Sequence, residues 1–307
     1  MVYRAMLWLR NSRLRTDPSM VAWNTASTGV VRRRRNYAHI ALLLLIMAGL
    51  LALCGWIVAA WRGILWGMLV GGFLLATIGR FPIDALLRGM RARPIWADEA
   101  PGLHAAFAEL CDRAGLYPAP RLYHVDEPLP LAFSLGSGEG AAIVIADMLL
   151  DGLSRRELCA ILAHEICHLR SGDMLLKRLG FTLAWVARLM REVGFLVVII
   201  GVLLHVMSLA ELPLLSLVTL ALAPIGVNLL QLAMSRAREA EADLEAAELT
   251  GDPAGLASAL VKLRRWQESR LRQLFPTGRI LHLPSLFADH PPTEARIRQL
   301  RQMGGHG

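Results

Sequence analysis

The 307 residues carry a formal net charge of +8 and are 55% hydrophobic, with a mean hydropathy of +0.44. That composition excludes an ordinary soluble globular chain and points to membrane-embedded segments. Lys177 and Lys262 are the only lysines, and the arginines flank apolar runs, which fits membrane orientation rather than a nucleic-acid partner.

Residues 1–39 hold eight Arg, Arg32 to Arg35 among them, against the single acid Asp17, and read as a basic cytosolic N-terminal segment. Residues 40–79 read as a transmembrane hairpin. Ile40 to Ala60 gives 21 residues without a charge, long enough to cross roughly 30 Å of hydrocarbon. Trp61-Arg62-Gly63 is the expected turn, and Ile64 to Gly79 returns across the membrane. Val58-Ala59-Ala60 would suit a cleaved signal peptide, but the apolar core is too long and a second apolar run follows at once.

Residues 80–178 are of mixed polarity and read as the first part of a soluble domain, with Arg80, Arg88, Arg91 and Arg93 marking its start as cytosolic. The spacing predicts a helix over Leu103 to Ala114, ended by Gly115. Strands are expected at Arg121 to Val125, Leu131 to Leu135 and Ala142 to Ala146. Gly136-Ser137-Gly138-Glu139-Gly140 lacks the lysine and the strand-to-helix setting of a phosphate loop and reads as a hairpin turn. Cys54, Cys111, Cys159 and Cys167 do not pair by position, so a reduced environment is the simpler reading.

Ser154 to Arg170 reads as one helix. Ser154 caps it, Glu157 stands three residues on, and Leu158, Ile161, Leu162, Ile166 and Leu169 make an apolar stripe. It carries His164-Glu165-Ile166-Cys167-His168, an H-E-x-x-H motif. The two histidines lie one turn apart on one face and can bind a single metal ion. Glu165, about 100° round the helix, is beside them without being a ligand and is the candidate general base. Cys167 points away from His168 and reads as a small buried residue. His39, His104, His124, His205, His282 and His306 read as surface or packed histidines.

Residues 179–235 read as a second transmembrane hairpin, built on uncharged runs of 18 residues at 193–210 and 24 residues at 212–235. Pro213 and Pro224 interrupt the latter, and two buried soluble helices are the competing reading. The arginine distribution puts both termini and the motif on the cytosolic side.

Residues 236–307 read as the second part of the soluble domain. A catalytic zinc has three protein ligands and an open position, so a third ligand is required. In Ser235 to Asp243, Glu239 and Asp243 share a helix face with the small Ala242 and Ala246, whereas Glu241, Glu245 and Glu248 fall on another face read as solvated. Glu239 is the expected ligand, and Asp243 the carboxylate that orients a ligating histidine.

These features together resemble the membrane zinc metallopeptidases of the HtpX-like heat-shock group, related to the CAAX prenyl endopeptidases. The match runs through the N-terminal hairpin, E-L-x-A-x-L-A-H-E-x-x-H from Glu157, a second apolar pair and S-R-x-R-E-x-x-A-D at Ser235 to Asp243. It ends at Asp289-His290-Pro291-Pro292 with Arg296 downstream. The resemblance implies a mainly α, α+β membrane protein with about four transmembrane helices and a zincin-like catalytic domain. One Zn2+ would be held by His164, His168 and Glu239. Glu165 would be catalytic, His290 and Arg296 would contact substrate or oxyanion, and Asp173 would support the site from outside. The family's Asn-Ala-Phe is here Leu131-Ala132-Phe133, so the role of that Asn does not carry over.

The implied protein is an integral endopeptidase of the inner (plasma) membrane that cleaves membrane or misfolded proteins in the cytosol. A substrate strand is expected to add to an edge near Ala142 to Ala146. An intramembrane-cleaving protease, or a non-catalytic membrane scaffold or receptor, are the alternatives.

Overall fold

The computed structural model describes residues 25–78, 83–127, 130–172, 192, 195–196, 199–203, 205–208, 235–236, 238–274 and 294–304. The chain divides into one compact unit of residues 1–29, 82–174 and 238–307 and another of 30–81 and 175–237.

The second unit is described chiefly through α1 (Thr25–Ile78), whose helical geometry breaks at Ala59 (φ −147°) and Ala60 (φ 49°). The chain reverses there, two residues before the expected turn, and the residues on either side pair antiparallel. A Cβ on Gly55 would lie 2.5 Å from the Gly63 carbonyl carbon, one on Gly67 3.0 Å from the Leu51 oxygen and one on Gly71 2.7 Å from Leu51 Cδ1. Gly63, expected in the turn, is therefore a packing residue, and only a glycine lets the arms approach this closely. Several α1 side chains, Leu43, Met47 and Leu50 among them, are outside the described set. Among the described residues no helix is long and apolar enough to cross a membrane. Most of the expected second hairpin lies outside the described residues, the fragments between 192 and 206 being helical.

The other unit is mainly helical with a small mixed sheet. In chain order come α2 (Ile83–Gly89), β1 (Arg93–Pro94), α3 (Pro101–Ala114), β2 (Arg121–Val125), β3 (Ala132–Leu135), β4 (Ala142–Ala146), α4 (Asp147–Gly152) and α5 (Arg155–Arg170). Then come α6 (residues 238–250), α7 (Pro253–Leu274) and α8 (Glu294–Gly304). The sheet order is β1-β2-β4-β3, with β2 and β4 parallel and the outer pairs antiparallel.

This order corrects one expectation. Ala142 to Ala146 is the central strand, hydrogen-bonded on both sides and fully buried, so it offers no edge; the edge on that side is β3. An unbroken apolar run is what two covered faces demand. Ile143 and Ile145 join Leu122, Leu110, Leu162 and Ile166 in the main core, while Val144 and Ala146 meet Val125, Leu131 and Leu87 on the opposite face. Leu131, at the position of the family Asn, is thus packed into that second cluster, away from α5.

The α5 helix begins as its sequence requires. The Glu157 amide donates to Ser154 Oγ, and the Ser154 amide donates to Glu157 Oε2 at 2.8 Å, closing a capping box. The Glu157 carboxylate then reaches α7, accepting from Ser258 Oγ and Lys262 Nζ, each at 2.6 Å. Burial pushes the Glu157 carboxyl up, but the hydrogen bonds from Lys262, Ser258 and Ser154 outweigh it and hold the pKa at about 2, against an ordinary 4.5. A depressed pKa stabilises the fold above the unfolded-state value and loses that contribution as pH falls through the folded one. Glu157→Gln should lower stability at pH 7 by about 2 kcal/mol. It should also remove part of the loss that the parent suffers between pH 4.5 and about 2. Unfolding curves in detergent across that range test both, and identical curves for the two proteins would dismiss the link.

Candidate metal centre

Three helices of one unit build a buried polar cluster. His164, Glu165 and His168 come from α5, Glu239 and Asp243 from α6 and Arg296 from α8, and none is more than 6% exposed. The i, i+4 spacing on α5 points both imidazoles at α6, and the same spacing on α6 returns two carboxylates. His164 Nε2 and His168 Nε2 stand 3.1 Å apart, with the rings at 87°. The Glu239 carboxylate spans them, Oε2 being 3.4 Å from His164 Nε2 and Oε1 3.5 Å from His168 Nε2. On the far side of His164, Nδ1 lies 3.0 Å from Asp243 Oδ1. Arg296 grips Asp243 with two nitrogens, at 2.6 and 2.7 Å, and places Nη1 3.0 Å from Glu239 Oε2.

The electrostatics follow from burial among carboxylates. Burial alone pushes the His164 pKa down, yet Asp243 and Glu239 raise it to about 9. Asp243 is pushed up by burial and pulled further down by Arg296 and His164, so it stays ionised below its ordinary range. Burial works against the Arg296 charge, but Asp243, Glu239 and Glu165 more than restore it.

The cluster fits a divalent cation. One donor atom each from His164, His168 and Glu239 lies within 4.8 Å of the others, and among the described residues no other group of this kind occurs. Two imidazole nitrogens facing each other beside a carboxylate form a site that a cation can fill. Two nitrogens and one oxygen are a donor set suited to zinc, with a coordination position left open. Asp243 holds the outer nitrogen of His164, as a ligand-orienting carboxylate does.

The expected site residues fare differently. His164, Glu165, His168, Glu239, Asp243 and Arg296 are brought together, whereas Asp173 and His290 lie outside the described residues. Arg296 spends its guanidinium on Asp243 and Glu239. Of the glutamates read as solvated, only Glu248 is exposed. Glu241 is half-buried, and Glu245 is 3% exposed with Arg170 Nη2 at 2.8 Å. That corrects the reading of a uniformly wet face, since helix spacing alone does not reveal that the last arginine of α5 meets it. Away from the cluster, His104 Nε2 bonds the Ile95 carbonyl at 2.8 Å and His124 Nδ1 pairs with Asp147 at 2.7 Å. Cys111, Cys159 and Cys167 are buried, and burial pushes the Cys111 thiol to about 12, which leaves no reactive thiolate there.

Comparison with known proteins gives the family. Peptidase family M48 matches residues 97–304. A protease HtpX homolog of Polynucleobacter necessarius is 31% identical over 285 residues, covering 89% of this chain and 97% of its own. The HtpX homolog of Persephonella marina is 34% identical, covering 85% and 95%. The crystal structure of S. mikatae Ste24p aligns with a TM-score of 0.46 at 19% identity, covering 91% of this chain and 65% of that one.

The geometry separates three neighbouring carboxylates by measurement. Glu239→Ala should lose tightly bound metal while keeping the fold. Glu245→Ala should keep the ligand set but lower stability by about 2 kcal/mol, because the half-buried Arg170 loses its charged partner. Glu248→Ala should change neither. Metal content by mass spectrometry, read beside unfolding midpoints, checks the set; full metal in Glu239→Ala would remove Glu239 from the ligands.

Proposed function

The chain belongs to peptidase family M48 and is a metalloendopeptidase, and from that premise we propose an integral membrane zinc enzyme that cleaves membrane or misfolded proteins on the cytosolic side. The single observation that carries the reading is the buried convergence of His164, His168 and Glu239 with Glu165 on the same helix. Zinc held by those three ligands would lower the pKa of a water towards neutrality and polarise the scissile carbonyl. Glu165 takes the water's proton and delivers it to the departing amine. Asp243 fixes the ring of His164 through Nδ1. Arg296 is a positioning residue, holding Asp243 and Glu239 in place. The substrate strand adds to β3, the outer strand of the sheet among the described residues, which packs against α5, and main-chain pairing lets the cleaved sequence vary.

Cleavage within the bilayer is disfavoured by the motif helix itself. Arg155, Arg156 and Glu157 open it, Arg170 closes it, and its long axis is packed in the core of a unit that contains a sheet. A scaffold role is disfavoured by the presence of the complete set of chemical groups. The stretch 40–60 and its return are proposed to span the membrane with both termini in the cytosol. Reporter fusions at about residues 120 and 290 should both read cytosolic, and an extracytoplasmic signal at either rejects the topology.

Purified protein should cleave casein, lose activity to a chelator and regain it with zinc. Glu165→Gln should retain metal and lose roughly 10²–10⁴ in rate. Cleavage by that variant at the parent rate would exclude Glu165 as the base.

A further inference from the structure

We propose that the outer face of α2 and the edge strand after it form a docking surface for anionic phospholipid headgroups. This rests on the reading that α1 lies in the bilayer. α2 turns Ile83 and Leu87 onto the sheet, which leaves Leu86, 44% exposed, and the exposed Arg88 on its outer side. The chain then runs through Arg91 and Arg93, both exposed, to Trp96 at 59% exposure. Arg121 joins them from β2, its guanidinium 5.7 Å from the Tyr123 ring centre and 3.6 Å from Asp84. Asp84 is the one acid between residues 83 and 97, against Arg88, Arg91 and Arg93; Asp98 and Glu99 lie beyond Trp96, Asp126 and Glu127 follow β2, and Asp147 is bonded to His124, the register partner of Arg93. None of these groups takes part in the metal cluster.

Two arguments select lipid as the occupant. Arginines interleaved with an exposed leucine and tryptophan are the pattern of a membrane interface, where the apolar groups sink between headgroups and the cations meet phosphate. Chain length is the second. α1 ends at Ile78 and α2 begins at Ile83, so the link can extend no more than roughly 18 Å. With α1 in the bilayer, the headgroup layer is the anionic surface within that reach. Each arginine near such a surface biases the equilibrium about fivefold, and the tether makes the encounter intramolecular. The interaction would hold the metallopeptidase unit on acidic membrane and make its attachment sensitive to lipid composition.

The test uses the full chain in nanodiscs of phosphatidylcholine alone or with about one third phosphatidylglycerol, reading amide hydrogen exchange over residues 83–96. Exchange should slow about tenfold in the anionic discs, and the difference should collapse at about 0.5 M salt. An Arg88→Gln, Arg91→Gln, Arg93→Gln variant should lose the difference, the matching lysine variant should keep it, and exchange in β4 should stay unchanged in both. Equal exchange in the two bilayers, a difference that survives in the glutamine variant, or the same protection from inorganic phosphate in neutral discs would overturn the proposal. Extraction of the protein from membranes by alkaline carbonate would overturn the bilayer reading and this proposal together. Lipid-independent exchange in a protein that resists extraction would overturn this proposal alone.

Discussion

The structure of the metallopeptidase unit depends on one carboxylate. Asp243 faces His164 Nδ1 at 3.0 Å on one side and takes two nitrogens of Arg296 on the other, so α5, α6 and α8 meet on a single side chain. Each of these groups is costly to bury charged, and each is tolerable only because the others are present. Without Asp243, Arg296 would be a buried guanidinium deprived of its two-pronged carboxylate partner, and the imidazole of His164 would lose the partner that fixes its orientation. The chain must therefore bring together residues separated by the whole of 175–237, and the unit is discontinuous in sequence for that reason.

Rigidity of the motif helix is supplied at both ends. Glu157 ties the first turn to α7 through Ser258 and Lys262, and Arg170 ties the last residue to α6 through Glu245. Between these ties, Leu162 and Ile166 are completely buried. A metal site tolerates displacements of only about half an ångström, so the packing that holds the helix is part of the chemistry. The same packing keeps Cys167, one residue from a ligand, inside the core and out of reach of oxidants.

What could be read from the sequence was whatever a helix's own geometry decides. The capping box at Ser154, the shared face of His164 and His168, and the pairing of Glu239 with Asp243 follow from 3.6 residues per turn. Features that depend on a neighbouring element were read less well. The β4 run carried the signal of a central strand, but an edge was expected because a substrate needs one. Glu245 shares a periodicity with the exposed Glu248, and only the end of α5 determines that it is buried. Nor did the sequence indicate that Ala59 and Ala60, rather than Gly63, turn the hairpin, since Gly63 is taken by the close approach of the arms.

That approach bears on the bilayer setting proposed for the hairpin. In water, two amphipathic helices turn their large apolar side chains toward each other and expose small or polar ones. α1 does the reverse. Gly55, Gly63, Gly67 and Gly71 lie at the contact between the arms, while Trp56, Trp66, Leu69 and Phe73 are exposed at 57%, 69%, 62% and 69%. Among the described residues Gly55 meets Gly63, and Gly67 and Gly71 meet Leu51, so the contact gains less apolar area, and with it less hydrophobic driving force, than large side chains facing each other would. In hydrocarbon that driving force is absent in any case. Association then rests on close van der Waals contact between backbones, for which small residues at four-residue spacing are the favoured solution. The inside-out distribution of the described side chains is the arrangement an apolar solvent favours, and it supports the proposed bilayer setting of the 40–60 stretch and its return.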